Sequence, residues 1–166
     1  MGWSLTAPTL PGGSEWVQKD TISIQNNQLD VTGTISIARL EGTNFALKIV
    51  ETRTFHLTNP NFTDFYKTYH RCDVAGVTGE AYTESRFGSS GSTKTYYFTG
   101  IAAAGASIKV VVGVKADSVT QEFSFAAPAL LGVPFVFNDN GTLRKVSKWM
   151  YNDNGTAKNV ILKYHT

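Results

Sequence analysis

Cysteine and charge are what this chain of 166 residues has least of. Cys72 is the only cysteine, so no intramolecular disulfide can staple the fold, and the redox compartment is left open. Charged residues make up only 17%, and the formal net charge of +2 is too small to mark the whole chain as a nucleic-acid binder. No stretch approaches the roughly 20 apolar residues of a transmembrane helix. The amino terminus, Met1-Gly2-Trp3-Ser4-Leu5-Thr6-Ala7-Pro8, has neither the basic start nor the apolar run of a secretory signal. These absences lead to the expectation of a protein made and folded in a cytoplasm, with neither nucleic acid nor membrane as a partner. The Glu, Lys, Leu and Ala richness of helical proteins is also missing. Thr, Ser, Gly, Asn, Val and aromatic residues recur instead, a mixture that favours strands and turns. With 42% hydrophobic residues, the chain can bury a core without metals or disulfides.

No catalytic set is evident either. A nucleophile needs a base beside it, and the candidates are His56, His70, His165 and Cys72. His70 and Cys72 are two apart, which on a helix points them about 200° away from each other, so Cys72 reads as a small core residue. Zinc would need four ligands from this scattered set. Asn138-Asp139-Asn140-Gly141 lacks the spaced acids and terminal Glu of a calcium loop. Glu51, Glu80, Glu84 and Glu122 read as carboxylates on exposed strand faces, not as a glycosidase pair. The sequence therefore assigns no catalytic, cofactor-binding or metal residue, and the expectation is a protein that is not an enzyme.

What the chain does contain is strand signal. Residues 1–16 form an arm with Pro8, Pro11, Gly12 and Gly13, bracketed by Trp3 and Trp16. Each tryptophan can bury on the order of 200 Å², so the arm either folds back on its own body or docks on a neighbour. Residues 17–125 read as the body, an antiparallel β-sandwich of seven or so strands. Ile22 and Ile24, then Leu29, Val31, Ile35 and Ile37, then Phe45, Leu47 and Ile49 alternate with polar residues as a meander of long strands. Phe62, Phe65, Tyr66, Tyr69 and Cys72 fall at helical spacing, which predicts one short amphipathic helix over about 62–72, with an irregular strand as the competing reading. Residues 81–87 and 93–99 flank a Gly-Ser tip and read as a hairpin; Ile108–Val114 and Val119–Phe125 read as two more strands. Residues 126–134, with Pro128 and Pro134, read as a linker.

Beyond the linker, residues 135–166 hold a repeat. Phe137-Asn138-Asp139-Asn140-Gly141-Thr142 returns fourteen residues later as Tyr151-Asn152-Asp153-Asn154-Gly155-Thr156, each copy followed by a basic residue (Arg144, Lys158) and a valine (Val146, Val160). Asn-Gly suits the type I′ turn of a tight hairpin, so each copy reads as a strand, a turn and a second strand. About 32 residues cannot form a stable core alone; the hairpins must pack on the body, on each other or on another subunit. Residues 138–166 carry five Lys or Arg against two Asp, a surplus of three over a body that is otherwise one charge negative. Phe137, Trp149, Tyr151 and Tyr164 beside Arg144, Lys148 and Lys158 form a basic, aromatic set, with Trp3 and Trp16 as the arm's counterpart.

These tandem copies resemble short terminal repeats in tail and other virion proteins of phages and prophages of Gram-positive bacteria. The resemblance covers about 30 residues of the 166. It implies a structural protein of a virion, such as a tail, baseplate, fibre or capsid decoration component. Such a protein would assemble through its arm and terminal hairpins with copies of itself and other virion proteins. A carbohydrate- or cell-wall-binding β-sandwich module, with host cell-wall glycan as partner, is the alternative.

Overall fold

The computed structural model describes residues 2–25, 29–56, 67–84, 91–114, 119–131, 135–139, 142–146, 150–153 and 156–159. Among them the secondary structure is all β. Two units separate, Met1–Leu131 and Gly132–Thr166.

The first unit is a β-sandwich. Alternating Ile, Leu and Val bury one face of β2 (Val17–Gln25), β3 (Leu29–Arg39) and β4 (Asn44–Phe55), which pair in sequence as the expected antiparallel meander. β4 pairs on its other edge with β7 (Thr93–Ile101), and β7 with β1 (Gly2–Ser4), completing a five-stranded sheet in the order β1-β7-β4-β3-β2. The second sheet has the order β6-β5-β8-β9, built from β6 (Ala81–Glu84), β5 (Thr68–Val74), β8 (Ser107–Val114) and β9 (Val119–Ala126). Both sheets are antiparallel throughout. Between them lie Ile22, Leu29, Ile35, Ile37, Phe45, Leu47 and Ile49 from the first sheet, facing Cys72, Ile108, Val110, Val112 and Phe123 from the second.

Polar ties join the sheets along both open sides. On one side the Ser23 backbone N–H donates to Gln121 Oε1 at 3.0 Å; on the other, Trp3 Nε1–H donates to the Glu80 carbonyl at 3.0 Å. At one end the buried Arg39 guanidinium, 2% exposed, donates to the carbonyls of Thr43, Ala102, Pro128 and Ala129. That side chain binds two turns and the segment after β9 to one point, just before the boundary with the second unit.

Two sequence expectations are corrected. The helix expected over about 62–72 is absent where the structure describes it: Thr68–Cys72 belongs to β5, while residues 62–66 lie outside the described residues. Thr68, His70 and Cys72 are buried and Tyr69 and Arg71 face outward, a period of two that pairing with β6 and β8 fixes. β-branched and aromatic side chains in this stretch suit a strand, and two neighbouring strands outweigh a marginal helical spacing. The hairpin expected from 81–87 to 93–99 is also not formed, because β6 and β7 lie in opposite sheets. They meet instead through side chains: Glu84 accepts from Lys94 Nζ and from Tyr96 Oη, each at 2.9 Å. Among the described residues the body has eight strands over 17–126, where the sequence suggested about seven.

In the second unit β10 (Phe135–Asp139) pairs with β11 (Thr142–Val146), and β12 (Met150–Asp153) with β13 (Thr156–Asn159). Both ladders are antiparallel and leave two residues between the strands, Asn140-Gly141 and Asn154-Gly155, which lie outside the described residues. The linker begins one residue later than expected, since β9 includes Ala126; residues 132–134 lie outside the described residues.

Replacing Arg39 with Met should strand the carbonyls of Ala102, Pro128 and Ala129 without this donor, while that of Thr43 keeps the Ala102 N–H, and lower stability by about 3 kcal/mol or more, read as a fall in the denaturant midpoint with an unchanged m-value.

Candidate functional site

Strand β4 explains why charge enters the sandwich interior. Its inward parity begins as Phe45, Leu47 and Ile49 and continues as Glu51 and Arg53, so an acid and a base enter the core on the same face as the apolar residues. Opposite Glu51 on β3 stands Gly33, where a Cβ would press on the Val50 carbonyl and sit 2.8 Å from the Glu51 Cα. Glycine lets the β3 backbone come this close to the β4 backbone at Val50 and Glu51. Glu51 Oε1 accepts from Arg53 Nε at 2.7 Å and from Nη2 at 2.5 Å, while Glu51 Oε2 accepts from His70 Nε2 at 3.0 Å across the sheet gap. Glu51 is 1% exposed and His70 0%.

Aromatic rings close this cluster. The His70 ring lies 4.4 Å from Tyr96 between centroids, and Trp3 of β1 stacks on it at 5.4 Å with an interplanar angle of 29°. Trp3 also meets Phe98 at 5.1 Å and Tyr82 at 6.4 Å. Burial alone would raise the Glu51 carboxyl. The hydrogen bond and electrostatic pull of His70, and then those of Arg53, outweigh burial and hold it below its ordinary 4.5. Burial raises the Tyr96 phenol, keeping it a neutral donor to Glu84.

Glu51 was expected on an exposed strand face; the structure buries it. The signal was present, since Glu51 and Arg53 keep the parity of Phe45, Leu47 and Ile49. His70 and Cys72 were placed on opposite sides of a helix, and as strand residues two apart they instead share the inner face. No dyad results. His70 Nε2 is committed to Glu51, and burial, with Asp73 beside it, pushes the Cys72 thiol up to about 12, so it stays protonated.

The two bracketing tryptophans are not brought together. Trp3 lies between the sheets, opposite Phe98 in register. Trp16 lies by the outer face of the first sheet, its ring 6.0 Å from Tyr97 and 5.0 Å from Lys48 Nζ, a cation–π contact. In this chain the arm folds back on its own body. Phe137 and Arg144 are register partners in the first terminal hairpin, and Tyr151 and Lys158 in the second. Lys148, Trp149 and Tyr164 lie outside the described residues. Each repeat therefore sets its aromatic residue directly opposite its basic residue, with an identical offset from the turn.

Among the described residues no group of three or more His, Cys, Asp or Glu is placed to hold a metal, and no helix is long and apolar enough to cross a membrane. No protein-family model, curated protein or solved structure matches the chain.

The Glu51 carboxyl titrates lower in the folded protein than in the unfolded one. Its stabilisation is therefore full above pH 4.5 and disappears as pH falls below that value. Asp73 shifts the same way: its bonds from Gly79 N–H and Arg71 overcome the opposing effect of burial. Glu51→Gln should cost about 3–5 kcal/mol at neutral pH and make the acid limb of a stability–pH profile shallower, with the Asp73 contribution remaining. An unchanged acid limb would count against this account of the cluster.

Proposed function

We propose that the protein is a non-enzymatic structural component of a phage virion, which assembles with copies of itself and with other virion proteins through its terminal hairpins and its amino-terminal arm. The observation that carries this reading is the repeat. Two copies of one sequence form two hairpins in the same register, each pairing an aromatic residue with a cation, in a unit separate from the sandwich. Two-stranded hairpins of four- and five-residue strands have little core of their own. Such elements gain stability by packing against another surface, and aromatic and cationic residues are the ones that anchor interfaces.

Host cell-wall glycan is the competing partner, since rings opposite cations also suit a sugar or a wall phosphate. The two readings differ in what they need. Self-assembly needs a second copy, and glycan binding needs none.

Light scattering on the full chain should give a multimer. The double variant Phe137→Ser with Tyr151→Ser should shift it toward monomer while leaving the unfolding midpoint of the body within about 0.5 kcal/mol of the parent, as for other surface substitutions. A wild-type monomer at every concentration would remove the assembly reading. Retention on purified cell wall, lost in the same variant, would move the assignment to a glycan-binding module.

A further inference from the structure

The slot that β1 fills has unusual demands. It lies between the edge of β7 and the Glu80–Tyr82 segment, with His70 and the buried Glu51–Arg53 pair beneath it. An empty slot would open a charged, aromatic interior to water on the β7 side. The element that closes it is slight. β1 has three residues, its central Trp3 supplies one side-chain hydrogen bond and three ring contacts, and Ser4 is already exposed.

The connection from β1 to the body is looser still. Residues 5–16 contain no strand and are mostly exposed, with Leu5 at 57%. Around Thr9 and Pro11 the arm borders an open groove of about 490 Å³ against Leu40, Asn44 and Gly100. Pro8 and Pro11 bias this stretch toward extended backbone. Ser14 is tied to the body by its hydroxyl, which donates to the Arg39 carbonyl, and the nine residues 5–13 reach about 30 Å when extended, comparable to the span of a small domain. The second anchor, Trp16, holds the far end of the arm on the outer face of the sheet, so release of β1 need not release Trp16.

We propose that β1 is an exchangeable strand: in the assembled protein the Gly2–Ser4 segment of one copy fills the β7 slot of a second copy, whose His70–Glu51–Arg53 cluster is sealed by the first copy's Trp3. The occupant is a second copy because its β1 has the sequence that already fits the slot, ring for ring and in register with Tyr97, Phe98 and Thr99. Within one chain the covalent tether gives its own β1 a high effective concentration. Copies already gathered by the terminal hairpins offer a comparable local concentration, so exchange follows assembly. The inference rests on the assembly reading above and deepens it, since it names the strand that copies of the chain would trade and the slot that receives it.

Ser4 and Tyr97 are register partners, so a Ser4→Cys, Tyr97→Cys variant reports which chain supplies β1. Cys72 is buried and its thiol stays protonated, so it does not compete for the disulfide. Oxidised glutathione added to the concentrated, assembled variant should give covalent dimers or longer ladders on a non-reducing gel. The same variant oxidised at high dilution should run as a single chain and then fail to give the ladder on concentration. A multimer by light scattering that shows only intrachain disulfide would overturn the exchange and leave assembly standing. A monomer at every concentration would overturn both. If the cysteine pair prevents folding, a fluorescein-labelled peptide of residues 2–16 warmed with the full chain decides the matter. Co-elution of this peptide, but not of its Trp3→Ala form, supports exchange, and no co-elution overturns it.

Discussion

A carboxylate with 1% of its surface exposed sits between two β-sheets, and much of the body's detail follows from satisfying it. Glu51 cannot remain ionised in an apolar core without partners, since the cost of removing an unpaired charge from water exceeds the stability of a typical domain. Arg53 supplies two donors from the same strand, and His70 a third from the facing sheet. Gly33, opposite Glu51, lets the backbones of β3 and β4 approach closely at this point. Tyr96 and Trp3 then exclude water from the imidazole. Removing Arg53 or His70 leaves the Glu51 carboxylate short of a donor in the core, so these polar contacts depend on one another.

That dependence gives the amino-terminal arm a meaning its composition alone does not. Three residues of strand and one indole complete the enclosure of the charged cluster, so the arm is a structural part of the core and not a tether that happens to lie on it. At the opposite extreme of the chain the hairpins repeat one register twice, each with an aromatic residue as the register partner of a basic one. Arg39 fixes the segment at Pro128 and Ala129 from which the hairpin unit departs.

Much of this was legible in the residues. The meander of β2, β3 and β4 followed from strict alternation of Ile, Leu and Val, and β8 and β9 from the same pattern. The hairpins followed from Asn-Gly flanked by a repeated motif. Where the reading failed, a local pattern was ambiguous and a distant partner decided. Tyr69 and Cys72 fit a helical period as well as a strand period until β6 and β8 pair on either side of them. Residues 81–87 and 93–99 looked like a hairpin because a turn-rich tip joins them, yet β6 closes the second sheet and β7 the first. Glu51 was placed in water because carboxylates usually are, although its parity pointed inward.

The sequence by itself determined an all-β chain with one apolar face per strand, an arm bracketed by tryptophans and a twice-repeated hairpin. These depend on periods of two and on turn chemistry, which act within a few residues. Only the tertiary structure decided which strands share a sheet, that Trp3 goes inward while Trp16 goes outward, and that Glu51, Arg53 and His70 meet. Those outcomes depend on packing one sheet against another, and residues separated by tens of positions become neighbours only when that packing brings them there.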